Sequence, residues 1–216
     1  MSVTVLTPAT ATALTTIATV RADLGLAADT PADAQITRFI AQASARAASF
    51  CQRAFGRQTV RERFTLAWPI YGADVGLLLD QSPVVRILAV TLDGEPLSAD
   101  AFETQGRFLY SLQDGERRSW TGRHVVIDYE AGWLLPGEAR GDPPTTTAPD
   151  LPADIEHAII QLVGVATSAS GRDAMVKSES VDGIGSTSWY VQGATSALPH
   201  PEAEAALMQY RRLMFA

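Results

Sequence analysis

TPADAQITRFIAQASARAASFCQRAFG, residues 30–56, is the stretch that decides the fold of this chain. Its apolar residues recur at intervals of three or four and comprise Ile36, Phe39, Ile40, Ala43, Ala47, Phe50, Cys51 and Ala54. This spacing predicts an amphipathic helix of about six turns. Thr30 is the predicted N-cap, Pro31 suits the first helical position, and Asp33 completes a pair resembling a capping box. Gly56 is expected to end the helix.

The rest of the helical pattern lies on both sides of this stretch. Thr15 or Thr16 is expected to cap a short helix that runs to Leu24, with Gly25 as its stop. Apolar spacing predicts a third helix over residues 152–170 and a fourth over residues 201–214. In the fourth helix we expect contacts from Ala205, Leu207 or Met208, and Leu213, and a favourable dipole interaction for Arg211 and Arg212 near its C-terminus.

Between residues 59 and 130 the apolar period changes to two. In VRERFTLAW, residues 60–68, the even positions are mainly apolar, as in a half-buried strand. Further strands are predicted at residues 77–80, 82–92, 108–112 and 124–129. Asp93-Gly94 is a strong hairpin signal. The pattern favours an antiparallel lobe built from sequential hairpins.

These segments predict an α+β fold, in which a bundle of about four helices carries an inserted antiparallel β lobe. Four regions are expected: an N-terminal helical hairpin (1–58), the β lobe (59–135), a Pro-rich linker (136–152), and C-terminal helices with an extended arm at about 172–199 (153–216). The first 13 residues are expected to form a loose arm or a short strand.

Composition excludes several classes of function. The chain has 216 residues and a formal net charge of -7, with most of the acidic excess after Tyr129 and no basic cluster, unlike a protein that grips nucleic acid. Negative charge suits a surface that DNA slides past. No run approaches the roughly 18 apolar residues of a membrane helix, and the N-terminus lacks a signal-peptide pattern, so we expect a soluble, unexported protein without membrane contact. Cys51, the single cysteine, is expected to be buried and inert.

No group of residues has the spacing of a catalytic or metal site. His124, His157 and His200 are scattered over different predicted elements, which does not suit a metal. Asp154 and Glu156 form an acid pair, but acids are expected in a first helical turn because of the helix dipole. Residues 183–186, GIGS, match neither a phosphate-binding loop nor a nucleophile elbow. We therefore predict no catalytic residue, no metal and no cofactor.

The order of segments resembles one known family. The segments that carry the resemblance are RADLGL (21–26), ITRFIAQASARAASFCQRAFG (36–56), SPVVRILAVTLDGEPL (82–97) and LPADIEHAIIQLVGVATSASGRD (151–173). In order and spacing they resemble the head-tail connector (adaptor) proteins of tailed bacteriophages and of the gene transfer agents derived from them. The resemblance covers residues 14–213 and rests on packing and turn patterns, since no single motif is diagnostic.

The resemblance implies a structural virion protein without enzymatic activity. It implies a ring, commonly a dodecamer, below the capsid portal protein, which carries stopper, head-completion or tail-terminator proteins while double-stranded DNA passes through the lumen. Assembly would take place in the host cytoplasm and the protein would end in the virion neck.

A ring needs two different faces on each subunit. The Ala-rich face of the long helix is one candidate. The other is the arm, which we expect to lie over a neighbour or on the portal, because Tyr and Trp anchor interfaces. The alternative for Trp189 and Tyr190 is that they cover the core of this chain. The C-terminal segment 201–216 is a candidate for portal docking. The candidate interface residues are Val181, Ile184, Trp189, Tyr190, Tyr210, Met214 and Phe215.

Two other functions stay open from the sequence. A head-completion or tail-terminator protein is compatible with the β content. A small hydrolase would use an acid pair such as Asp154 and Glu156.

Overall fold

The computed structural model describes residues 2–66, 75–139, 150–170, 178–181, 185–188 and 197–212. The chain forms two compact units. The β unit comprises Met1–Ala11, Gly56–Leu134 and Ala139–Asp150; the helical unit comprises Thr12–Phe55, Leu135–Glu138 and Leu151–Ala216.

The helical unit contains α1 (Ile17–Asp23), α2 (Asp33–Cys51), α3 (Ala153–Ala169) and α4 (Pro201–Met208). α2 packs against α1, α3 and α4, and α3 also packs against α1 and α4. No helix among the described residues has the length and apolar character to cross a lipid bilayer. The predicted α+β class, with four helices and antiparallel β-structure, is confirmed.

Helix α1 begins and ends as the sequence predicts. The Thr16 hydroxyl accepts a hydrogen bond from the Thr19 N–H at 3.2 Å. At the other end Gly25 has a φ of 61°, and the Leu26 N–H donates to the Arg21 carbonyl at 3.0 Å. Both ends therefore have their exposed backbone groups satisfied by local contacts.

The start of α2 differs from the prediction. Ala32 is the N-cap residue and makes no side-chain cap, so the capping box of Thr30 and Asp33 is wrong. The Arg21 guanidinium holds the Asp33 carboxylate at 2.7 Å, and the Thr30 backbone bridges to Ala27. Asp33 is therefore bound to Arg21, and Thr30 lies before the N-cap residue, so the two residues do not form a capping box.

The end of α2 also differs, because the helix stops at Cys51 and not at Gly56. Gln52 adopts the left-handed conformation with a φ of 53°, and the Arg53 N–H donates to the Ala48 carbonyl at 3.1 Å. Phe55, beyond this turn, is buried. Because the helix ends early, the chain turns after Gln52 and Phe55 is buried in the core. Ala54, which was expected on the apolar stripe, is exposed.

The remaining stripe of α2 is buried within the helical unit except for Phe50, which is half-buried, and Ser44 joins Ala43 and Ala47 on it. The Ser44 hydroxyl accepts a hydrogen bond from the Leu14 N–H at 3.1 Å. Ala43 and Ala47 have almost no exposed surface inside one subunit. The prediction that this Ala-rich face contacts a neighbouring subunit is therefore wrong, since the face is already covered by this chain.

Helix α3 has the predicted bounds, whereas α4 ends at Met208 and not near Met214. Beyond α4 the Arg212 N–H donates to the Cys51 carbonyl at 2.9 Å, which requires the chain to leave the helix. Arg211 and Arg212 consequently lie outside the last helical turn. Leu207 is buried as predicted, Ala205 and Met208 are exposed, and Leu213 lies outside the described residues.

The described part of the β unit contains two antiparallel sheets. The strands are β1 (Ser2–Thr7), β2 (Gln58–Thr65), β3 (Leu77–Leu78), β4 (Val84–Leu92), β5 (Glu95–Pro96), β6 (Phe102–Gln105), β7 (Phe108–Gln113), β8 (Glu116–Arg118) and β9 (His124–Ala131). The larger sheet has the order β1-β2-β9-β4-β5. In the smaller sheet β7 pairs with β6 along one edge and with β3 and β8 along the other.

Sequential hairpins form only part of this topology. Asp93-Gly94 joins β4 to β5 with positive φ at both residues, and β6, β7 and β8 form a meander. The larger sheet instead places β9 between β2 and β4, and the prediction of consecutive hairpins is wrong there. β9 alternates buried and less buried residues along its whole length, because one face of the larger sheet packs on the core and the other face does not.

Two cross-strand ion pairs lie beside this central strand. The Arg61 guanidinium contacts Asp128 at 2.6 Å, and the Arg86 guanidinium contacts Glu130 at 2.9 Å.

The core of the β unit lies on the opposite face of the sheet and consists of Val60, Leu66, Leu77, Leu79, Val90, Leu109, Trp120, Val125, Ile127, Tyr129 and Ala131.

Candidate assembly surfaces

The structure describes two of the seven predicted interface residues, Val181 and Tyr210. The other five lie outside the described residues; they are Ile184, Trp189, Tyr190, Met214 and Phe215.

The predicted arm contains a short antiparallel hairpin. Its strands are β10 (Ser178–Val181) and β11 (Gly185–Ser188), and Val181 lies opposite Gly185. The second strand begins at Gly185. Gly185 and Ser186 of the GIGS segment therefore belong to β11.

Tyr210 is engaged within the helical unit. Its hydroxyl donates to the Asp154 carboxylate, with distances of 2.9 Å to Oδ1 and 2.8 Å to Oδ2. Burial, together with the hydrogen bond to Asp154, raises the pKa of Tyr210 to about 12. This contact connects the segment after α4 to the first turn of α3.

The acid pair Asp154 and Glu156 has separate partners. Asp154 accepts the Tyr210 hydroxyl, while Glu156 accepts a hydrogen bond from the Thr15 hydroxyl at 2.9 Å. Both acids lie in the first turn of α3, where the helix dipole favours negative charge. These contacts give both carboxylates a structural role in holding helix ends together.

The three histidines lie apart in the described structure. His124 is exposed on β9, His157 lies on α3 with its ring 3.2 Å from Gln161, and His200 caps α4 by accepting the Ala203 N–H at 3.4 Å. Within the described ranges no three His, Cys, Asp or Glu residues cluster in a way that suits a metal ion.

Cys51 is fully buried, as the sequence predicts. Its thiol donates to the Leu207 carbonyl at 3.4 Å. Burial raises the pKa of Cys51 to about 11, because the thiolate is disfavoured away from water. The side chain is therefore a packing residue with low nucleophilicity.

Sequence reasoning missed the exposed apolar residues of the β unit. Val5 and Leu6 on β1 are 49% and 45% exposed, and Leu88 on β4 is 45% exposed. The signal was present in Ser2–Thr7, where apolar residues lie in an uncharged extended segment. The larger sheet thus has exposed apolar residues on two of its strands.

A second exposed patch lies on the smaller sheet. Leu78 pairs directly with Phe108 across β3 and β7, and both side chains are exposed. The ring of Tyr110 lies beside Phe108 and under the guanidinium of Arg117, which is 3.8 Å from the ring centroid. This surface combines apolar and cationic groups.

A buried acid in the core was also missed. Glu62 lies on the buried face of β2, where its Oε2 accepts the Tyr129 hydroxyl at 2.9 Å and the Asp80 N–H at 3.1 Å. The Tyr129 oxygen accepts the Gln81 N–H at 3.0 Å. Burial and the neighbouring Glu62 carboxylate raise the pKa of Tyr129. The signal in the sequence was Glu62 itself, an acid at an even position of residues 60–68, where the other even positions are mainly apolar.

Comparison with known proteins gives a likeness in structure only. No protein-family model matches the sequence, and no curated protein matches it. Solved chains from gene transfer agent (GTA) particles do match in fold. A chain of the neck of an empty GTA particle, computed with C6 symmetry, has a TM-score of 0.53 and 20% identity. The alignment covers 100% of this chain and 98% of that chain.

Two further structures agree with this match. A chain of the neck of a native GTA particle, computed with C12 symmetry, has a TM-score of 0.54, 19% identity, and coverage of 100% of this chain and 98% of that one. A chain of the virion of a native GTA particle has a TM-score of 0.52, 21% identity, and coverage of 100% and 97%. The chain shares the fold of these proteins. The resemblance found in the sequence is confirmed at the level of fold.

Proposed function

We propose that this chain is a structural head-tail connector (adaptor) of a phage-like particle. In this proposal it forms a ring between the capsid portal and the stopper, head-completion or tail-terminator proteins, and double-stranded DNA passes through the lumen. The observation that carries the proposal is the fold shared with GTA neck chains over the whole length of both proteins. The coverage of both chains supports the proposal, because the helices and sheets are shared in the same order along their whole length. A match limited to one small, common motif would give no such support.

The proposed ring has twelve subunits. The GTA neck structures were computed with C6 and C12 symmetry, and both symmetries are compatible with twelve copies of one chain. A closed ring of identical subunits requires head-to-tail contacts between two different surfaces. The exposed apolar residues on β1, β4 and the smaller sheet provide surface for such contacts.

The proposed lumen is compatible with the charge of the chain. A net charge of -7 weakens attachment to phosphates, so DNA would move past the protein without being held. Portal docking is assigned in this proposal to residues 201–216 and to the arm at about 172–199. The contributing residues would be Val181, Ile184, Trp189, Tyr190, Tyr210, Met214 and Phe215.

The test is the mass of the purified protein, measured by light scattering alone and with the portal protein. A particle of ring size in either sample is the expected result. A stable monomer in both samples, also in the presence of neck proteins, would contradict the proposal. Deletion of residues 213–216 serves as a matched variant, since it keeps α4 and its packing and should weaken portal attachment while the circular dichroism of the whole protein persists.

Fractionation distinguishes the adaptor role from that of a tail-terminator protein. Virions are separated into DNA-filled heads and free tails, and the chain is quantified in each fraction by mass spectrometry. An adaptor stays with the heads. Recovery with the tails would assign the protein to the tail end of the neck.

A further inference from the structure

The larger sheet of the β unit has two strand edges that no described strand covers. β1 forms one outer edge, because it pairs only with β2. On the opposite side β5 pairs only with Thr91 and Leu92, and the Leu97 N–H donates to the Val90 carbonyl at 2.8 Å, so the outer edge of β4 is uncovered by described residues only before Val90. Open edges offer rows of N–H and C=O groups to another strand.

Neither edge strand is protected by charge as edge strands usually are. β1 contains no charged residue and no proline, and it pairs regularly with β2 from Ser2 to Val5. The single charge of β4, Arg86, is bound to Glu130 of its own sheet. Both strands also expose large apolar side chains, Val5 and Leu6 on β1 and Leu88 on β4.

The directions of the two strands are opposite. β1 is antiparallel to β2, β2 to β9, and β9 to β4. When β1 of one copy lies beside β4 of the next copy, the new pair is therefore antiparallel and continues the sheet.

Burial matches across such a junction, where β4 itself has two register shifts, between Val84 and Arg86 and between Ile87 and Ala89. Val5, Val60, Tyr129 and Ile87 lie in one row across the sheet. Val60 and Tyr129 are fully buried, Ile87 is half-buried, and Val5 at the end of the row is exposed. In a continued sheet the exposed Val5 would lie at the level of Ile87 and Leu88 of the neighbour.

β1 itself carries no charge and β4 carries only Arg86, but the charged residues beside the two edges differ. Exposed Arg63 lies opposite Ser2 on the β1 side. On the β4–β5 side residues 87–106 contain acids and no Arg or Lys, and Asp93 and Glu95 are exposed. Backbone N–H groups of His124 and Arg123 lower the pKa of Asp93, so this carboxylate is an anion at neutral pH.

We propose that copies of this chain join head-to-tail by β-augmentation, with β1 of one subunit added to the β4–β5 edge of the next. The partner is a second copy, because one molecule carries both edges with opposite strand direction and with exposed apolar side chains on each. The inference rests on the proposed ring and specifies how its subunits are connected.

Chemical cross-linking tests this contact. The double variant Val5→Cys/Leu88→Cys is assembled with the portal protein and treated with a short bismaleimide. The expected result on a denaturing gel is a ladder of covalent oligomers that extends beyond the dimer, because each subunit carries both partners. The single variants Val5→Cys and Leu88→Cys should give no ladder. Buried Cys51 should not react in the native protein.

The outcomes separate this inference from the proposed function. A particle of ring mass without a ladder would overturn β-augmentation and leave the connector proposal intact. A covalent dimer from Val5→Cys alone would show a symmetric β1–β1 contact and would also overturn it. If neither wild type nor variant forms a ring with the portal, both proposals fail.

A second pair of variants measures the same contact without cross-linking. Val5→Lys places a charge on the β1 edge and should abolish ring assembly, whereas Val5→Thr keeps a β-branched side chain and should retain it. The thermal unfolding of each subunit serves as the control for folding. Normal assembly of Val5→Lys would contradict the proposal.

Discussion

The hydroxyl of Tyr129 donates a hydrogen bond to the carboxylate of Glu62, 2.9 Å away in the fully buried core of the β unit. The two residues lie on β9 and β2, which are adjacent in the sheet and distant in sequence. Asp80 and Gln81 are tied to the same two side chains by backbone N–H groups. A buried polar group of this kind is costly when a partner is removed.

Tyr129→Phe should therefore lower the free energy of unfolding by about 1–3 kcal/mol, because the buried Glu62 loses one donor and the Gln81 N–H loses its acceptor. Urea unfolding followed by fluorescence measures the change. Tyr110→Phe is the matched control, since Tyr110 is half-buried on the smaller sheet, and it should alter stability by no more than about 0.5 kcal/mol. Equal losses of stability in the two variants would show that the hydrogen bonds of Tyr129 with Glu62 and Gln81 contribute no more than those of the Tyr110 hydroxyl.

The stability of the helical unit should fall as pH rises from about 9 to about 11. The pKa of Cys51 is raised to about 11 by burial, from an ordinary value of 9.0. In this interval the unfolded chain releases the thiol proton and the native state keeps it, so the free energy of unfolding falls by up to roughly 1.4 kcal/mol per pH unit.

Denaturant unfolding at several pH values between 8 and 11 measures this slope. Cys51→Ala removes the thiol and should show a shallower decline, although tyrosines of the unfolded chain still contribute above about pH 10. Identical slopes for wild type and Cys51→Ala would contradict the assignment.

Gly132→Ala should destabilise the β unit severely. Gly132 has a φ of 114°, and a Cβ there would lie 2.5 Å from the Gly56 carbonyl oxygen. Backbone strain and overlap with another backbone together should cost about 3 kcal/mol or more. Gly94→Ala shares the positive φ but meets no atom within 4 Å, so it should cost only about 1–2 kcal/mol. Thermal unfolding of both variants would reveal whether this difference exists.

Thr16→Ala should lower stability by about 1 kcal/mol, because the Thr16 hydroxyl caps α1. Thr30→Ala should be nearly neutral, within about 0.5 kcal/mol, since Thr30 contributes no side-chain cap to α2. Chemical denaturation of the two single variants compares them directly. A larger loss for Thr30→Ala would restore the capping role that the sequence suggested.

The sequence could predict the features that depend on near neighbours. The apolar spacing of α2 and α3, the Thr16 cap, the Asp93-Gly94 turn and the burial of Cys51 all follow from residues a few positions apart. Periodicity reports which face of an element is apolar, and turn residues report local backbone conformation. The α+β class and the resemblance to head-tail connectors follow from the order of these elements.

Part of the candidate assembly surface was not predictable in the same way. Val5 and Leu88 lie on two open edges of one sheet only because β9 separates β2 from β4 in that sheet. Likewise, the Ala-rich stripe of α2 looked available in sequence, and only the packing of α3 and α4 shows that it is buried.

By itself, then, the sequence determined the apolar faces of α2 and α3, the cap of α1 and the Asp93-Gly94 turn, because each is set by backbone preference and by the local alternation of apolar and polar side chains. Only the tertiary structure decided the pairing of β2 with β9, the hold of Arg21 on Asp33, and the contact of Tyr210 with Asp154. These contacts join residues remote in sequence, and their free energy depends on which groups the whole chain brings together and removes from water.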